Sequence, residues 1–483
     1  MATKHHSILF VASEMEGLIK SGGLADVAKA LPESLIKLGH DVRVSIPAYA
    51  GIDNIGEAKV IISTQLDTWP HTPYQVVQLS VNAVPVYGIR CSQYFERAEM
   101  YAENNQAYAD NGERYAFFSA ACLDMLPKLG FQPDIVHAND WHTGFVPYLL
   151  KKRYSTSDFF AQTKSIISIH NAVFKGVFSY DELQTLPEMQ SRHVPEAELS
   201  HTHVAMLKAG ILCADKVNAV SPTYAEELKT YLGSHGMAEE FRSRDADLVG
   251  ILNGCDYSAW DPSNDPHIAA NFTATVDSMK QGKALNKHAL QAEVGLPEKS
   301  VSMFGMVCRL TSQKGLQYLL PILERFLKND VQVTIVGTGD PVIAAELHSV
   351  AGHFPDKFAF VEAYSNKLAH LVEAGSDFFI MPSEFEPCGL NQLYSMAYGT
   401  LPIVRSVGGL KDTVTDIDED AETATGLSFI DPEPVELLVT LQRALLLYHQ
   451  QPEFFTQVQM NGMQRIFSWD EAAVEYEELY SNA

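Results

Sequence analysis

The chain has 483 residues, of which 46% are hydrophobic and 20% are charged, and its formal net charge is −25. This length exceeds one ordinary core, so we expect two or three domains, and the composition is typical of a soluble globular protein. A chain this acidic is not expected to bind nucleic acid or an anionic membrane.

The N-terminus and the cysteines indicate the compartment. The first residues lead directly into an apolar strand pattern, Ile8–Ala12, without the longer apolar region and cleavage site of a secretory signal. No apolar run approaches the roughly 20 residues that span a bilayer. The six cysteines are scattered without a Cys-x-x-Cys pair, which predicts reduced thiols rather than disulfides or a metal cluster. We therefore expect a cytoplasmic protein.

Apolar strand patterns alternate with helical patterns through the first half of the chain. After the first strand, Leu24–Gly39 carries apolar residues at a period near 3.6, which predicts a helix. Two further runs, Val76–Val81 and Val84–Ile89, predict an inserted antiparallel hairpin. The alternation predicts a parallel, doubly wound α/β sheet. Its expected strands are Ile8–Ser13, Val42–Pro47, Asp134–Asn139, Ser165–His170, Lys216–Ser221 and Val249–Asn253.

A second α/β series occupies the rest of the chain. The turn-rich stretch Asn253–Pro262 separates the two series, and we place a hinge there, at about residues 255–265. We expect two Rossmann-like, doubly wound domains facing each other across a cleft, with ligands at the carboxyl ends of the strands. Ser468–Glu471 has the pattern of a capping box and predicts a C-terminal helix. The expected strands of the second series are Met303–Arg309, Val331–Val336, Phe358–Val361, Phe378–Met381 and Ile403–Arg405.

The stretch Glu384–Gln392 is the most informative part of the sequence. It lies between an apolar run, Phe378–Met381, and a helical pattern, Leu393–Tyr398, so it predicts a strand, a tight turn and a helix start. Unpaired backbone N–H groups and the positive end of the helix dipole meet there, and such a point binds anions, most often phosphate. The carboxylate of Glu386 would repel a phosphate, so a neutral hydroxyl-bearing group such as a sugar is its better partner.

Two other turns carry cations. In the first βα turn, Gly22 and Gly23 let the backbone approach a ligand and Lys20 supplies charge. The turn matches neither the dinucleotide fingerprint nor the P-loop, and on its own a tight turn with a surface lysine explains it as well. At the first strand of the second series, Arg309 and Lys314 can converge on a diphosphate. Preorganised cations stabilise developing phosphate charge without a metal, and no metal-binding Asp-x-Asp triplet appears in the sequence.

These motifs together resemble the donor site of retaining GT-B glycosyltransferases, and most closely that of bacterial glycogen and starch synthases. Many related GT-B transferases carry a second Glu eight residues after the one at Glu386, where it can hold a ribose; here Tyr394 stands there, as in the glycogen synthase pattern. Lys20–Leu24 is similar to the family's Lys-x-Gly-Gly-Leu, and Arg309–Gly315 to its Arg-x-x-x-Gln-Lys-Gly. The motifs occur in the family's order over essentially the whole chain.

Three further residues gain a role through this resemblance. His170, in a His-Asn pair, would contact the transferred glucose, although alone it could be a satisfied core group. Asp140, in a stretch that resembles the family's His-Ala-His/Asn-Asp-Trp, would lie near the acceptor hydroxyl, although a helix N-cap is the alternative. Tyr364 would stack on the adenine, although it could be a core-edge tyrosine. Residues 172–176 depart from the common Leu-Ala-Tyr-Gln-Gly, which leaves the acceptor contacts open.

The resemblance implies the GT-B architecture, with an acceptor-side domain at 1–255, a nucleotide-sugar-binding domain at 265–460, and a C-terminal helix at 461–483 that crosses back onto the first domain. It also implies a hexosyltransferase that moves glucose from ADP-glucose to the non-reducing end of an α-1,4-glucan such as glycogen, with retention of configuration. Neither a cofactor nor a metal is expected. The implied catalytic residues are Glu386, His170 and Asp140. The implied ADP-glucose-binding residues are Lys20, Gly22, Gly23, Arg309, Lys314, Tyr364, Cys388, Gly389, Leu390 and Asn391.

Three alternatives remain at this stage. Another GT-B transferase, making sucrose or a lipid-linked sugar, is disfavoured by Tyr394 and by the lack of a basic or amphipathic membrane face. A glucan phosphorylase would need a lysine for pyridoxal phosphate, and the sequence singles none out. A catalytically inactive glucan-binding protein could lose the charged motif residues without harm to its fold. All four of them are present: Lys20, Arg309, Lys314 and Glu386.

Overall fold

The computed structural model describes residues 5–52, 58–69, 72–103 and 106–483. Their contacts divide the chain into two compact units. The first unit comprises the chain up to Asn253 together with Trp469–Ala483, and the second comprises Gly254–Ser468. Each unit contains its own large sheet.

The first unit is built on a nine-stranded sheet with helices packed against it. Its strands, including those of two separate two-stranded sheets, β6–β7 and β10–β11, are β1 (Ser7–Val11), β2 (Asp41–Pro47), β3 (Lys59–Gln65), β4 (Pro73–Val81), β5 (Val84–Arg90), β6 (Ala102–Glu103), β7 (Gln106–Ala107), β8 (Ile135–Asn139), β9 (Lys164–Ile169), β10 (Val177–Ser179), β11 (His203–Ala205), β12 (Lys216–Ala219) and β13 (Leu248–Gly250). Its first helices are α1 (Gly23–Lys37), α2 (Ser92–Phe95), α3 (Asn111–Leu129), α4 (Phe145–Lys152), α5 (Met206–Cys213), α6 (Pro222–Glu227) and α7 (Ala238–Ser243).

The strand order in this sheet places a topological switch point between β1 and β8. The order is β13-β12-β9-β8-β1-β2-β5-β4-β3, and β1 pairs in parallel with β2 on one side and β8 on the other. The winding therefore reverses at β1, and the carboxyl ends of β1 and β8 form a topological switch point. The predicted hairpin is confirmed, because β4 and β5 pair antiparallel. The edge strand β3 was not predicted, because its mostly exposed side chains give no clear burial pattern.

The second unit is a six-stranded, fully parallel sheet with helices on both faces. Its strands are β14 (Ser302–Val307), β15 (Val331–Val336), β16 (Phe358–Val361), β17 (Phe378–Met381), β18 (Leu401–Arg405) and β19 (Leu427–Phe429). Its helices are α8 (Val276–Glu293), α9 (Leu316–Phe326), α10 (Pro341–His353), α11 (Asn366–Gly375), α12 (Asn391–Ala397), α13 (Gly408–Thr413), α14 (Pro434–Gln450) and α15 (Pro452–Gln464).

The double winding of the second unit follows from its strand sequences. Along β17, Phe378 and Ile380 join the core on one face, while Phe379 and Met381 join the core on the other. Both faces must therefore be covered by helices, which is typical of buried parallel strands. The strand order β16-β15-β14-β17-β18-β19 is the Rossmann order, with its switch point between β14 and β17. The predicted α/β, Rossmann-like fold class is confirmed.

The last helix, α16 (Trp469–Ser481), packs on α1 of the first unit. Asp470 Oδ1 accepts hydrogen bonds from Ser34 Oγ at 2.8 Å and from Lys37 Nζ at 3.0 Å. The apolar face of α16 joins the core of the first unit through Trp469, Ala472, Ala473, Tyr476, Leu479 and Tyr480. Across the described residues, no helix is long and apolar enough to cross a membrane.

Candidate active site

A cavity of about 160 Å³ lies at the switch point of the second unit. The carboxyl ends of β14 and β17 and the start of α12 form its walls, because the chain leaves these two neighbouring strands in opposite directions. We call it the donor cavity. It is lined by Met306, Val307, Cys308, Lys314, Phe379, Ile380, Met381, Ser383, Glu386, Gly389, Leu390 and Asn391. Five predicted site residues therefore meet here: Lys314, Glu386, Gly389, Leu390 and Asn391.

Glu386 and Lys314 form an ion pair in the donor cavity. Lys314 Nζ lies 2.7 Å from Glu386 Oε2, and Ser383 Oγ donates to the same oxygen at 3.0 Å. Glu386 is only 7% exposed, so a buried carboxylate without such partners would be costly. An ammonium group has three N–H donors, and in the described part of the chain the carboxylate of Glu386 takes one from Lys314. The remaining donors can serve an anion in the same cavity.

The turn that carries Glu386 is held by very close backbone contacts. Gly389 has a φ of +75°, which favours glycine. A Cβ on Gly408 would lie 2.0 Å from Glu386 O, and a Cβ on Gly409 would lie 2.1 Å from Cys388 O. The Gly409 N–H donates to Glu386 O at 3.1 Å. Only glycines allow the backbone to come this close, so the Gly408-Gly409 pair packs directly against the turn that carries Glu386.

The first turn of α12 completes the donor cavity. Asn391 Nδ2 donates to Val307 O at 2.9 Å, which ties the helix start to the end of β14. The N-cap residue Leu390 gives no side-chain cap to the helix, so its side chain does not compete for the first N–H groups. Cys388, at the start of the turn, is buried, with 6% of its surface exposed. This arrangement matches the predicted strand, tight turn and helix start.

Arg309 and Tyr364 follow strands of the same sheet but stand in solvent. Arg309 comes after β14 and is exposed, and its guanidinium has no hydrogen-bond or ion-pair partner among the described residues. Tyr364 follows β16 and is 86% exposed. So exposed a ring is not a core-edge residue, which removes that alternative. Both side chains are accessible to a ligand near the carboxyl edge of the sheet.

In the first unit, the predicted donor turn is already occupied by a carboxylate. Glu14, three residues beyond β1, is buried with 4% exposure and accepts N–H bonds from Ser21 and from Gly22, the latter at 3.2 Å. Burial raises the pKa of Glu14, and the two N–H bonds oppose that rise. The sequence argument missed Glu14, because it considered only the glycines and the lysine of the turn.

Lys20 is held beside this turn by two carboxylates. Its Nζ lies 2.9 Å from Glu16 and 2.7 Å from Asp26. Although partial burial alone would lower it, the pKa of Lys20 is raised by these two neighbours. Lys20 therefore stays protonated, and a phosphate that binds it has to compete with Asp26 and Glu16. Gly23 is the first residue of α1, directly after this turn.

Asp140 follows β8 and holds the loop after β9. Its Oδ1 accepts the N–H of His170 at 2.8 Å and of Asn171 at 3.3 Å. Asp140 is the N-cap residue of the short helix Trp141–Thr143, but its carboxylate makes no cap hydrogen bond to that helix. Its φ of +55° is unusual for a residue other than glycine, and such strain concentrates at functional sites. Burial raises the pKa of Asp140 to about 7.

His170 is neutral and its tautomer is fixed. Burial lowers the pKa of His170 to about 3. Asn139 Nδ2 donates to Val11 O at 3.0 Å, which orients the amide so that Asn139 Oδ1 faces His170 Nε2 at 2.9 Å. His170 Nε2 therefore carries the proton, and Nδ1 is left as an acceptor. A neutral acceptor suits a sugar hydroxyl.

Glu14, Asp140 and His170 lie together at one edge of the sheet, because each follows the carboxyl end of one of three neighbouring strands, β1, β8 and β9. We call these three residues the first-unit cluster.

His137 belongs to the same motif as Asp140 but has a structural role. Its Nδ1 bonds to Tyr480 OH at 2.8 Å and its Nε2 to Ser168 Oγ at 2.7 Å. Burial lowers the pKa of His137 to about 3. Both ring nitrogens are satisfied, so His137 fastens α16 to β9 rather than contacting a ligand.

Comparisons with known proteins agree with these features. Residues 7–243 match the family model of the starch synthase catalytic domain, and residues 288–452 match that of group 1 glycosyl transferases. The glycogen synthases of Vibrio atlanticus and of Vibrio vulnificus are each 67% identical to this chain over 483 residues, which is 100% of both chains in each case. The catalytic domain of starch synthase IV from Arabidopsis thaliana, solved with ADP and acarbose bound, superposes with a TM-score of 0.90 at 31% identity over 99% of each chain.

The fold, the donor cavity and these matches define a GT-B glycosyltransferase, as the sequence predicted. The full-length relatives narrow the class further. The chain belongs to the glycogen synthase family.

Proposed function

We propose that this glycosyltransferase moves glucose from ADP-glucose to the non-reducing end of an α-1,4-glucan, with retention of configuration, in the cytoplasm. The observation that carries the proposal is the Lys314–Glu386 ion pair in a cavity at a Rossmann switch point. The family supports a nucleotide-sugar donor and a glucan acceptor. The ADP in the Arabidopsis structure supports adenine as the base.

The ion pair between Lys314 and Glu386 explains how an anionic diphosphate can bind next to a carboxylate. A carboxylate next to a diphosphate would repel it, yet Glu386 and the phosphate-binding turn share one cavity. Lys314 lies 2.7 Å from Glu386, so its ammonium group can stand between the carboxylate and the diphosphate. Lys314 then cancels part of the repulsion in the ground state and stabilises the leaving diphosphate as its charge grows.

The proposed division of roles in the second unit follows from this arrangement. Glu386 accepts hydrogen bonds from glucose hydroxyls and faces the positive charge that develops on the sugar ring. Arg309, Lys314 and the turn Cys388–Asn391 hold the diphosphate. Tyr364 stacks on the adenine, because a ring with 86% exposure is open to a flat partner.

In the first unit, Lys20 with Gly22 and Gly23 contributes to binding the donor diphosphate. Asp140 is proposed as the general base near the acceptor hydroxyl, because a pKa of about 7 suits proton transfer at neutral pH. His170 is proposed to accept a hydrogen bond from the transferred glucose through Nδ1. In the part of the chain that the structure describes, no group of three His, Cys, Asp or Glu side chains is arranged to hold a metal ion. Metal-free transfer stays a prediction.

An incorporation assay tests the proposal. Purified protein is incubated with glycogen and radiolabelled ADP-glucose or UDP-glucose, and label in the precipitated glucan is counted. We expect efficient incorporation from ADP-glucose and at least tenfold less from UDP-glucose at equal concentration. The label should be released by an exo-acting amylase that cuts from non-reducing ends. Incorporation from UDP-glucose alone would refute the choice of base, and no incorporation from either donor would favour an inactive glucan-binding protein.

A further inference from the structure

Trp260 forms a three-ring stack outside the donor cavity. It lies between β13 and α8, in a segment to which the proposed chemistry assigns no role. Its indole is parallel to His370, with ring centroids 3.7 Å apart and an interplanar angle of 6°. It is equally parallel to Tyr394, at 3.8 Å and 5°. Two rings this close to one centroid cannot share a face, so Trp260 is sandwiched between them. We call this group the Trp260 stack.

One end of the Trp260 stack is fixed by a buried hydrogen-bond network. His370 Nδ1 lies 2.7 Å from Asp265 Oδ2, and Tyr398 OH donates to the same oxygen at 2.5 Å. Asp265 and His370 are each 3% exposed. Burial alone would raise the pKa of Asp265, but the bonds from His370 and Tyr398 hold it below its usual value. Asp265 therefore stays charged and keeps His370 in place on α11.

The other end of the Trp260 stack reaches the donor cavity. Tyr394 lies on α12, and its N–H donates to Leu390 O at 3.0 Å, which closes the first turn of that helix. Leu390 and Asn391, in this same turn, line the cavity. Leu390, Tyr394 and Trp260 also pack in one small apolar core. The position of the Tyr394 ring therefore sets the position of the turn that is proposed to hold the diphosphate.

We infer that Trp260 and Tyr394 are positioning residues of the donor site, which act by stacking and thereby fix the first turn of α12 for a nucleoside diphosphate. The inference rests on the proposed function for the identity of the ligand. In this inference the flat ring of Tyr394, and not its hydroxyl group, positions the first turn of α12. Removing a ring should weaken diphosphate binding, although neither ring lines the cavity.

Calorimetry with ADP on the full chain tests this inference. Trp260→Leu and Tyr394→Leu should each weaken ADP binding about fivefold to tenfold, because the turn is then no longer held for the ligand, and the energy of one stacked aromatic pair sets the upper limit of this loss. Trp260→Phe and Tyr394→Phe keep a flat ring and should bind within about twofold of the wild type. In steady-state assays the Leu variants should raise the KM for ADP-glucose and leave kcat at saturating donor, and the KM for glycogen, within about twofold.

A double-mutant cycle and a core control separate positioning from general loss of stability. Because the two rings act as one unit, Trp260→Leu with Tyr394→Leu should bind ADP no more weakly than the weaker single variant. Phe326→Leu is the control, because Phe326 is fully buried at the end of α9, in a core that contains none of the residues of the Trp260 stack. It should lower the Tm without changing ADP affinity.

Three results would overturn the inference. Wild-type affinity in Trp260→Leu would show that the stack does not position the turn. A loss in Tyr394→Phe as large as in Tyr394→Leu would show that the hydroxyl matters, and this pair decides the question if Trp260→Leu does not fold. Failure of the wild type to bind ADP would refute the donor proposal itself, and the inference would fall with it.

Discussion

Asp140 should lower the stability of the folded protein at neutral pH, and Asp140→Asn should reverse this. Burial raises the pKa of Asp140 from 3.8 to about 7. The folded state therefore holds this proton more tightly than the unfolded chain does, so the free energy of unfolding falls as the pH rises from about 4 to about 7. An amide in place of the carboxylate keeps an oxygen acceptor for the N–H groups of His170 and Asn171, but it carries no charge.

The expected magnitude follows from the same pKa. Since one pKa unit corresponds to about 1.4 kcal/mol, the raised pKa lowers the free energy of unfolding by about 4 kcal/mol at pH 8, where Asp140 is ionised, and by about 2 kcal/mol at pH 5, where Asp140 is protonated in the fold but ionised in the unfolded chain. Asp140→Asn should therefore gain about 2 kcal/mol more stability at pH 8 than at pH 5. For a unit of this size that difference corresponds to roughly 5 °C in Tm.

Thermal unfolding of wild type and variant at both pH values checks this. Although Asp140→Asn should gain stability, it should lose turnover. Its kcat should fall at least about a hundredfold, because an amide cannot accept the proton of the acceptor hydroxyl. Asp134→Asn is the control: Asp134 also accepts a backbone N–H, from Ser7 at 2.8 Å, but lies at the start of its strand, away from the site. It should keep normal turnover. An equal change in Tm at pH 5 and pH 8, or normal activity in Asp140→Asn, would refute the reasoning.

Two further predictions concern the cations. Excess EDTA should leave the incorporation rate within about twofold, because Arg309, Lys314 and Lys20 are proposed to do the work of a metal; a rate restored only by Mg²⁺ or Mn²⁺ would contradict this. Lys20→Gln should weaken the apparent affinity for ADP-glucose about tenfold, since a charge-assisted hydrogen bond contributes roughly 1.5–3 kcal/mol, and should leave the affinity for glycogen nearly unchanged. Lys37→Gln, which removes a surface ion pair with Asp470, is its control and should change neither affinity.

The architecture could be predicted because the strands are buried on one or both faces. In the second unit, β15 is buried along its whole length, so its apolar run stands out from its surroundings. β3 could not be predicted in this way, because its exposed edge position imposes no apolar pattern. The two-stranded sheets β6–β7 and β10–β11 were missed for a similar reason, since two or three residues cannot display a period.

The donor cavity could be predicted as far as its chemistry is local in the sequence. Glu386 and the turn after it lie between a strand and a helix that both have clear apolar patterns in the sequence. The position of the turn at the end of that strand could therefore be predicted. The pairing of Glu386 with Lys314 could not be predicted, because it joins residues 72 positions apart. Trp260 gave no signal either, since its partners on α11 and α12 are far along the chain.

The first-unit cluster shows the same limit. The sequence indicated Asp140 and His170 through motifs, but not that the carboxylate of Asp140 binds the backbone of His170. Glu14 was missed although it stands only seven residues before Ser21, because the sequence argument considered only the glycines and the lysine of the turn. Its buried position beside the glycine turn is evident only once β1 and α1 are folded.

The most direct test of the central claim is a comparison of turnover and ADP binding in Glu386→Gln. The substitution keeps the size of the side chain but removes the charge beside the developing positive sugar, so kcat should fall at least about a hundredfold, or roughly 3 kcal/mol. Lys314, which lies 2.7 Å from this carboxylate, loses its counter-charge and becomes freer to bind phosphate, so calorimetry should give an ADP affinity equal to or higher than that of the wild type. Near-normal turnover, or ADP binding weakened as much as turnover, would contradict the account, because Glu386 would then be a structural residue rather than the carboxylate that acts on the sugar.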